Sequence, residues 1–166
     1  MAEIQISVSP SRTRINRRRM EQAAERILSA LGCSDAELSL AVVDDETIRE
    51  LNSQYRGVDE PTDVLSFPMG EGEFGDVAPQ MLGDVVLSVE TAGAMADEHN
   101  LSLEAVLDLL LIHGVLHLVG YDHTDPEEAR EMDRKTLDLL SLLGHDPGGF
   151  AWYETSSTYG KREKED

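Results

Sequence analysis

Residues 103–119, LEAVLDLLLIHGVLHLV, form a strongly apolar run interrupted by two histidines four positions apart. Ser102 offers an N-cap and Gly120 a stop, so the spacing predicts one long central helix. His113 and His117 then project from the same face, one turn apart. That separation lets two imidazole nitrogens reach a single Zn²⁺ at about 2.0–2.1 Å without distorting the helix. His123 lies just beyond Gly120, a residue suited to the positive φ that a chain reversal needs. Three neutral imidazoles with a fourth position open to water is the pattern of a catalytic zinc site; a structural site would want a fourth protein ligand.

A lone histidine on an apolar helix face is more often a hydrogen-bonded core residue than a ligand. Two at i, i+4 with a third after a glycine turn, in a chain with five histidines in all, are not accounted for that way. His99 and His145 lack partners at ligand spacing and read as helix-terminus residues. Asp122 and Asp125 flank the third histidine and could orient imidazoles as hydrogen-bond acceptors. Asp125 also suits the cap of a following helix, the role favoured here. Tyr121 receives no role.

His113, His117, Gly120 and His123 reproduce the HExxHxxGxxH spacing of metzincin proteases, but Gly114 stands in place of the glutamate. Peptide hydrolysis depends on that base because its amine leaving group is poor. Asp108 lies further back and off the face. Phosphodiester cleavage in RNA has other options: the ribose 2′-OH as internal nucleophile, or a metal-activated hydroxide. Gly114 therefore counts against a protease and leaves phosphoryl transfer open.

The remaining pattern completes one domain. Residues 3–9 and 37–43 alternate in period two, as half-buried strands do, and 64–67 and 83–90 read as two more. Helices are expected at 11–31, from Asp44 or Asp45 to 55, at 91–98, and at 126–143 behind Asp125-Pro126-Glu127-Glu128, a near-complete capping sequence. Residues 56–63 are turn-rich, and 70–79 form the expected mobile loop. The order βαβαββααα implies an α+β fold in a single domain over 1–152. Its mixed sheet of about four strands packs with about five helices, the zinc site lies at the end of the central helix, and 153–166 form a charged, disordered tail.

No run of 18 apolar residues appears, the N-terminus lacks a signal-peptide order, and Cys33, a packing residue, stands alone. A cytoplasmic protein with no membrane partner is the expectation. The formal charge of −19 is uneven: residues 1–32 hold six arginines against three glutamates, which leaves −22 on the rest. Such a surface repels nucleic acid as a whole. A polyanionic substrate must be held locally, by the arginine segment, the metal or a partner protein; a solvated helix face is the alternative for the arginines.

HGVLHLVGYDH (113–123) is similar to the HGxLHLxGYDH signature of the bacterial YbeY rRNA maturation factors. LNSQYRGVDEPTDVLSFPM (51–69), GDVVLSVETA (83–92) and the DP-E-A-M helix start (125–132) resemble the same family. The resemblance implies a single-strand-specific, zinc-dependent endoribonuclease acting in 16S rRNA 3′-end maturation and ribosome quality control. It implies one zinc ion on His113, His117 and His123, with Arg56 and His113 as catalytic residues. An Arg56 guanidinium suits a phosphate oxygen and transition-state charge, whereas its structural alternative is an ion pair with Asp59, Glu60 or Asp63. Expected partners are single-stranded rRNA, the ribosome or its small-subunit proteins, and an assembly GTPase. A second function class is a non-catalytic ribosome-assembly factor whose zinc braces the fold. A metalloprotease is the third, disfavoured by Gly114.

Overall fold

The computed structural model describes residues 2–9, 15–68 and 81–153. In chain order these form β1 (Glu3–Val8), α1 (Arg17–Ala30), β2 (Glu37–Val43), α2 (Asp45–Arg56), β3 (Val64–Pro68) and β4 (Met81–Ser88). There follow α3 (Val89–His99), α4 (Leu103–Leu118), α5 (Pro126–Leu142) and a 3₁₀ helix, Pro147–Tyr153. The strands make one mixed sheet in the order β1-β2-β4-β3, in which only β3 runs antiparallel. The expected single α+β domain is the one observed. The 70–79 loop lies outside the described residues.

Leu38, Leu40 and Val42 of β2 point to one face, which α1 and α4 cover. The other face is covered by α2 over a smaller cluster of Val43, Ile48, Leu65 and Val86. β4 lies between two strands and under both layers, so Val85, Val86 and Leu87 are all buried. Every residue of α4 from Ala105 to Leu116 is buried, as a helix apolar on all sides must be. Each buried leucine or isoleucine there contributes about 1.5–3 kcal/mol, so this helix organises the core. Among the described residues no single helix is long and apolar enough to cross a membrane.

Asp44, Ser102 and Asp125 cap α2, α4 and α5, each accepting from a backbone N–H three residues on. The hydrogen bonds from Thr47 hold the Asp44 carboxyl below its ordinary value. The expected start of the first helix at residue 11 needs correction. Ile15 and Asn16 are not helical, and Asn16 is the cap, accepting from the Arg19 N–H at 3.1 Å. Residues 11–14 lie outside the described set.

A second correction concerns the C-terminus. Tyr153, expected in the tail, ends the 3₁₀ helix and is buried, as is Phe150. Trp152 stacks on His99 with ring centroids 3.7 Å apart and planes 6° off parallel. The three aromatics of PGGFAWY were the available sign that this segment docks. Residues 154–166 lie outside the described residues.

Asp108 is 1% exposed in the middle of α4. A carboxylate so placed needs charged or hydrogen-bonding partners. Arg19 donates Nη1 to its Oδ1 at 3.1 Å and Nη2 to its Oδ2 at 2.6 Å, and His145 Nε2 lies 2.6 Å from Oδ2. The bond to Asp108 raises Arg19 above its ordinary value against the opposing effect of partial burial. His145 is thus more than a helix-end residue. Arg26 donates to the Leu142 carbonyl at the end of α5 at 2.6 Å. Two arginines of the basic segment therefore hold the fold together.

Candidate metal centre

The last two turns of α4 carry His113 and His117, whose Nε2 atoms lie 3.1 Å apart. Tetrahedral ligands at zinc–nitrogen distances of about 2.0–2.1 Å are separated by about 3.3 Å, so this spacing suits one ion between them. Gly120, at φ 105°, turns the chain back, and the Tyr121 N–H closes the turn on the Leu116 carbonyl at 2.9 Å. His123 then returns to the other two, its ring centroid 5.3 Å from His117 and 6.3 Å from His113. One donor atom from each histidine lies within 4.8 Å of the others.

His113 and His123 are buried, and His123 Nδ1 is enclosed without a hydrogen-bond partner. A dry imidazole nitrogen left unbonded is costly, about 1–3 kcal/mol, unless something else satisfies that ring. The donor set and this orphaned atom fit a divalent ion. Asp122 accepts from the His123 N–H at 2.8 Å and thereby fixes the returning loop. Asp125 serves as the helix cap, as expected.

Gly114 faces the sheet. A Cβ there would lie 2.7 Å from Val85 Cγ1 and 3.3 Å from Ser66 Oγ. The Ser66 hydroxyl donates to the Gly114 carbonyl at 3.0 Å, pinning the helix backbone between the two histidines. Sequence reasoning explained the glycine by the base it removes. The structure adds a packing reason, and Ser66 carried no signal in the sequence.

The three histidines open onto a cleft of about 850 Å³ that Arg56, Tyr55, Asn52, Asp63 and Phe67 also line. Arg56 ends α2, where Gly57 caps the helix at φ 71°. Of the proposed structural partners for Arg56, Asp59 is held by Arg49 at 2.8 and 3.1 Å, which lowers its carboxyl below the ordinary value. Asp63 accepts from the Val64 N–H at 2.8 Å and from the Tyr153 hydroxyl at 2.9 Å. None of the cleft-lining residues comes from α1, so the basic helix does not border the site.

Tyr153 was missed as a site residue. Its ring meets His113 edge-on, centroids 5.6 Å apart at 82°, while its hydroxyl reaches Asp63 on the cleft wall. Tyr153→Phe is expected to cost about 1.5–3 kcal/mol, the range for a hydrogen bond to a charged group, and to leave metal content unchanged. Chemical denaturation paired with metal analysis checks both.

A family model described as Endoribonuclease YbeY matches residues 5–144. The endoribonuclease YbeY of Geobacter sulfurreducens is 44% identical over 143 residues, covering 85% of this chain and 95% of that protein. Its counterpart in Aquifex aeolicus is 45% identical over 140 residues, covering 82% and 91%. The solution structure of TM1509 from Thermotoga maritima superposes with a TM-score of 0.59 at 29% identity, covering 84% of this chain and 88% of that one. Sequence signature, three-histidine cluster and fold agree, and the chain belongs to the YbeY endoribonuclease family.

Proposed function

We propose that the protein is a zinc-dependent endoribonuclease that cleaves single-stranded RNA. The observation that carries this reading is the convergence of His113, His117, His123 and Arg56 on one open cleft. A structural zinc takes four protein ligands, whereas three donors cluster here among the described residues, on the wall of a cavity. That arrangement favours chemistry over bracing. The relatives' shared name supplies RNA as the substrate class.

His113, His117 and His123 would hold a divalent ion, which when bound would supply Lewis-acid polarisation and charge neutralisation at the phosphate. Arg56 binds an oxygen of the same phosphate and stabilises the charge that grows there, an effect that needs no movement of the guanidinium. Asp122 and the Gly120 turn hold His123 in place, and Ser66 fixes the helix carbonyl between the other two ligands. We assign 16S rRNA 3′-end maturation and ribosome quality control in the cytoplasm as its setting. Small-subunit ribosomal proteins and an assembly GTPase are the proposed partners.

Arg56→Ala is expected to lower cleavage of an unstructured RNA by about 10²–10³-fold, the usual cost of one charge-stabilising donor, and to keep its metal. The test is purified, metal-replete protein on single-stranded RNA, with His113→Ala as the contamination control. Equal cleavage by wild type and His113→Ala would return the protein to the class of non-catalytic assembly factors. Metal loss in Arg56→Ala would make that arginine structural.

A further inference from the structure

Tyr55 is 61% exposed, and only Leu142, at 40%, joins it as an exposed large hydrophobic side chain among the described residues. Leu142 ends α5, far along the chain from the cleft, and contributes its carbonyl to Arg26. Tyr55 lines the cleft itself, next in sequence to Arg56. Its ring is held rather than loose. It meets Phe67 edge-to-face, centroids 5.1 Å apart at 63°, and Phe67 is paired with Asp84 in the sheet. The chain that follows α2 is tied back by Asn52 Nδ2, which donates to the Glu60 carbonyl at 2.9 Å. An aromatic ring backed on one side by Phe67 of the sheet and open to solvent beside a phosphate-binding arginine has the form of a stacking platform.

We propose that Tyr55 stacks on an unpaired nucleobase next to the phosphate held by Arg56, an inference that rests on the RNA reading above. The charge balance gives the platform its purpose. A chain of net charge −19 repels a polyanion, so contacts that do not depend on net charge add to the local hold of Arg56 and the metal seat. Base–aromatic stacking is such a contact, and it tolerates any sequence because every base has a π-face. In a duplex those faces are already occupied by neighbouring pairs, so the same contact selects single strands.

The test uses the full chain, metal-replete, with an unstructured oligonucleotide and a series in which one nucleotide at a time is abasic. Binding is read on 2′-O-methyl oligonucleotides, which resist cleavage through the 2′-OH, and KM on the ribose forms. Removing one base is expected to weaken binding to wild type about 10- to 100-fold at a single position. Tyr55→Leu, which keeps an apolar cover on Phe67, is expected to show the same loss with the intact strand and no further loss at that position. Tyr55→Trp is expected to restore the wild-type pattern. Undiminished sensitivity to that abasic position in Tyr55→Leu, or wild-type affinity in it, overturns the proposal. The scan on wild type alone decides even where the leucine variant misfolds, since the lack of any sensitive position also overturns it. Stacking without cleavage leaves the subsite and removes the nuclease reading; cleavage without a sensitive position does the reverse.

Discussion

His117→Ala is expected to purify without its metal ion and to cleave RNA at least about 10³-fold more slowly than wild type, because the lost ion carries the Lewis-acid chemistry. Its partners, His113 and His123, are buried, whereas His117 is half-buried at the mouth of the cluster. Truncating it opens little void, so the variant folds. What it loses is one of the two helical nitrogens that sit 3.1 Å apart, which leaves His113 and His123 alone. Two imidazoles alone do not hold a divalent ion against a mild chelator, and the stabilisation that binding lends to the native state goes with it. The check is metal content by mass spectrometry, melting with and without chelator, and cleavage rate. Chelator is expected to lower the melting temperature of wild type and to leave the variant unmoved. One ion per chain retained in His117→Ala would show that the seat lies elsewhere.

Restoring the protease glutamate is expected to break the protein rather than convert it. Gly114→Ala alone places a methyl 2.7 Å from Val85 Cγ1, well inside the ordinary carbon–carbon contact. Val85 is β-branched, fully buried and fixed in a central strand, so it cannot turn aside. Alanine gains about 1 kcal/mol of helix propensity over glycine, while overpacking of this kind costs about 1–3 kcal/mol. The clash wins narrowly, and a fall in melting temperature of up to about 8 °C is expected for a domain of this size. Glutamate adds a larger side chain and a carboxylate driven against buried Val85, several kcal/mol more, out of a typical total of about 5–15. Gly114→Glu is therefore expected in the insoluble fraction, with no turnover of an unstructured protein substrate. Scanning calorimetry on the alanine variant and solubility of the glutamate variant are the measurements. A glutamate variant that melts with wild type would refute the packing argument.

Most of the fold could be read from local chemistry. β1 and β2 announced themselves by period-two alternation, β3 and β4 as short apolar stretches, and three of the helix starts by side chains that cap backbone N–H groups within three residues. Those signals are short-range, so a sequence displays them whole. The ligand cluster was legible for the same reason: two histidines share a helical turn, and a glycine three residues beyond the second returns the third. What was not legible depends on contacts distant in the chain. Asp108 reads as a stray acid inside an apolar helix until Arg19 and His145, 89 and 37 residues away, are seen to close on it. Ser66 lies 48 positions from the carbonyl it holds, and Tyr153 lies 90 from Asp63. The first helix was started too early because arginines suit a helix face, and the polar cap at Asn16 was overlooked among them.

The Asp108 junction also sets the order in which this chain can be completed during synthesis. Its carboxylate is made two-thirds of the way along, after Arg19 but before His145, and sits in the helix that carries two of the three metal ligands. A nascent chain can bring α1 onto α4 by ion pairing alone, yet the second clasp does not exist until the last tenth or so of the described residues has left the ribosomal tunnel. The same final stretch delivers Tyr153 to His113. The helix that carries two of the three ligands is thus clasped by both the earliest and the latest elements of the described chain.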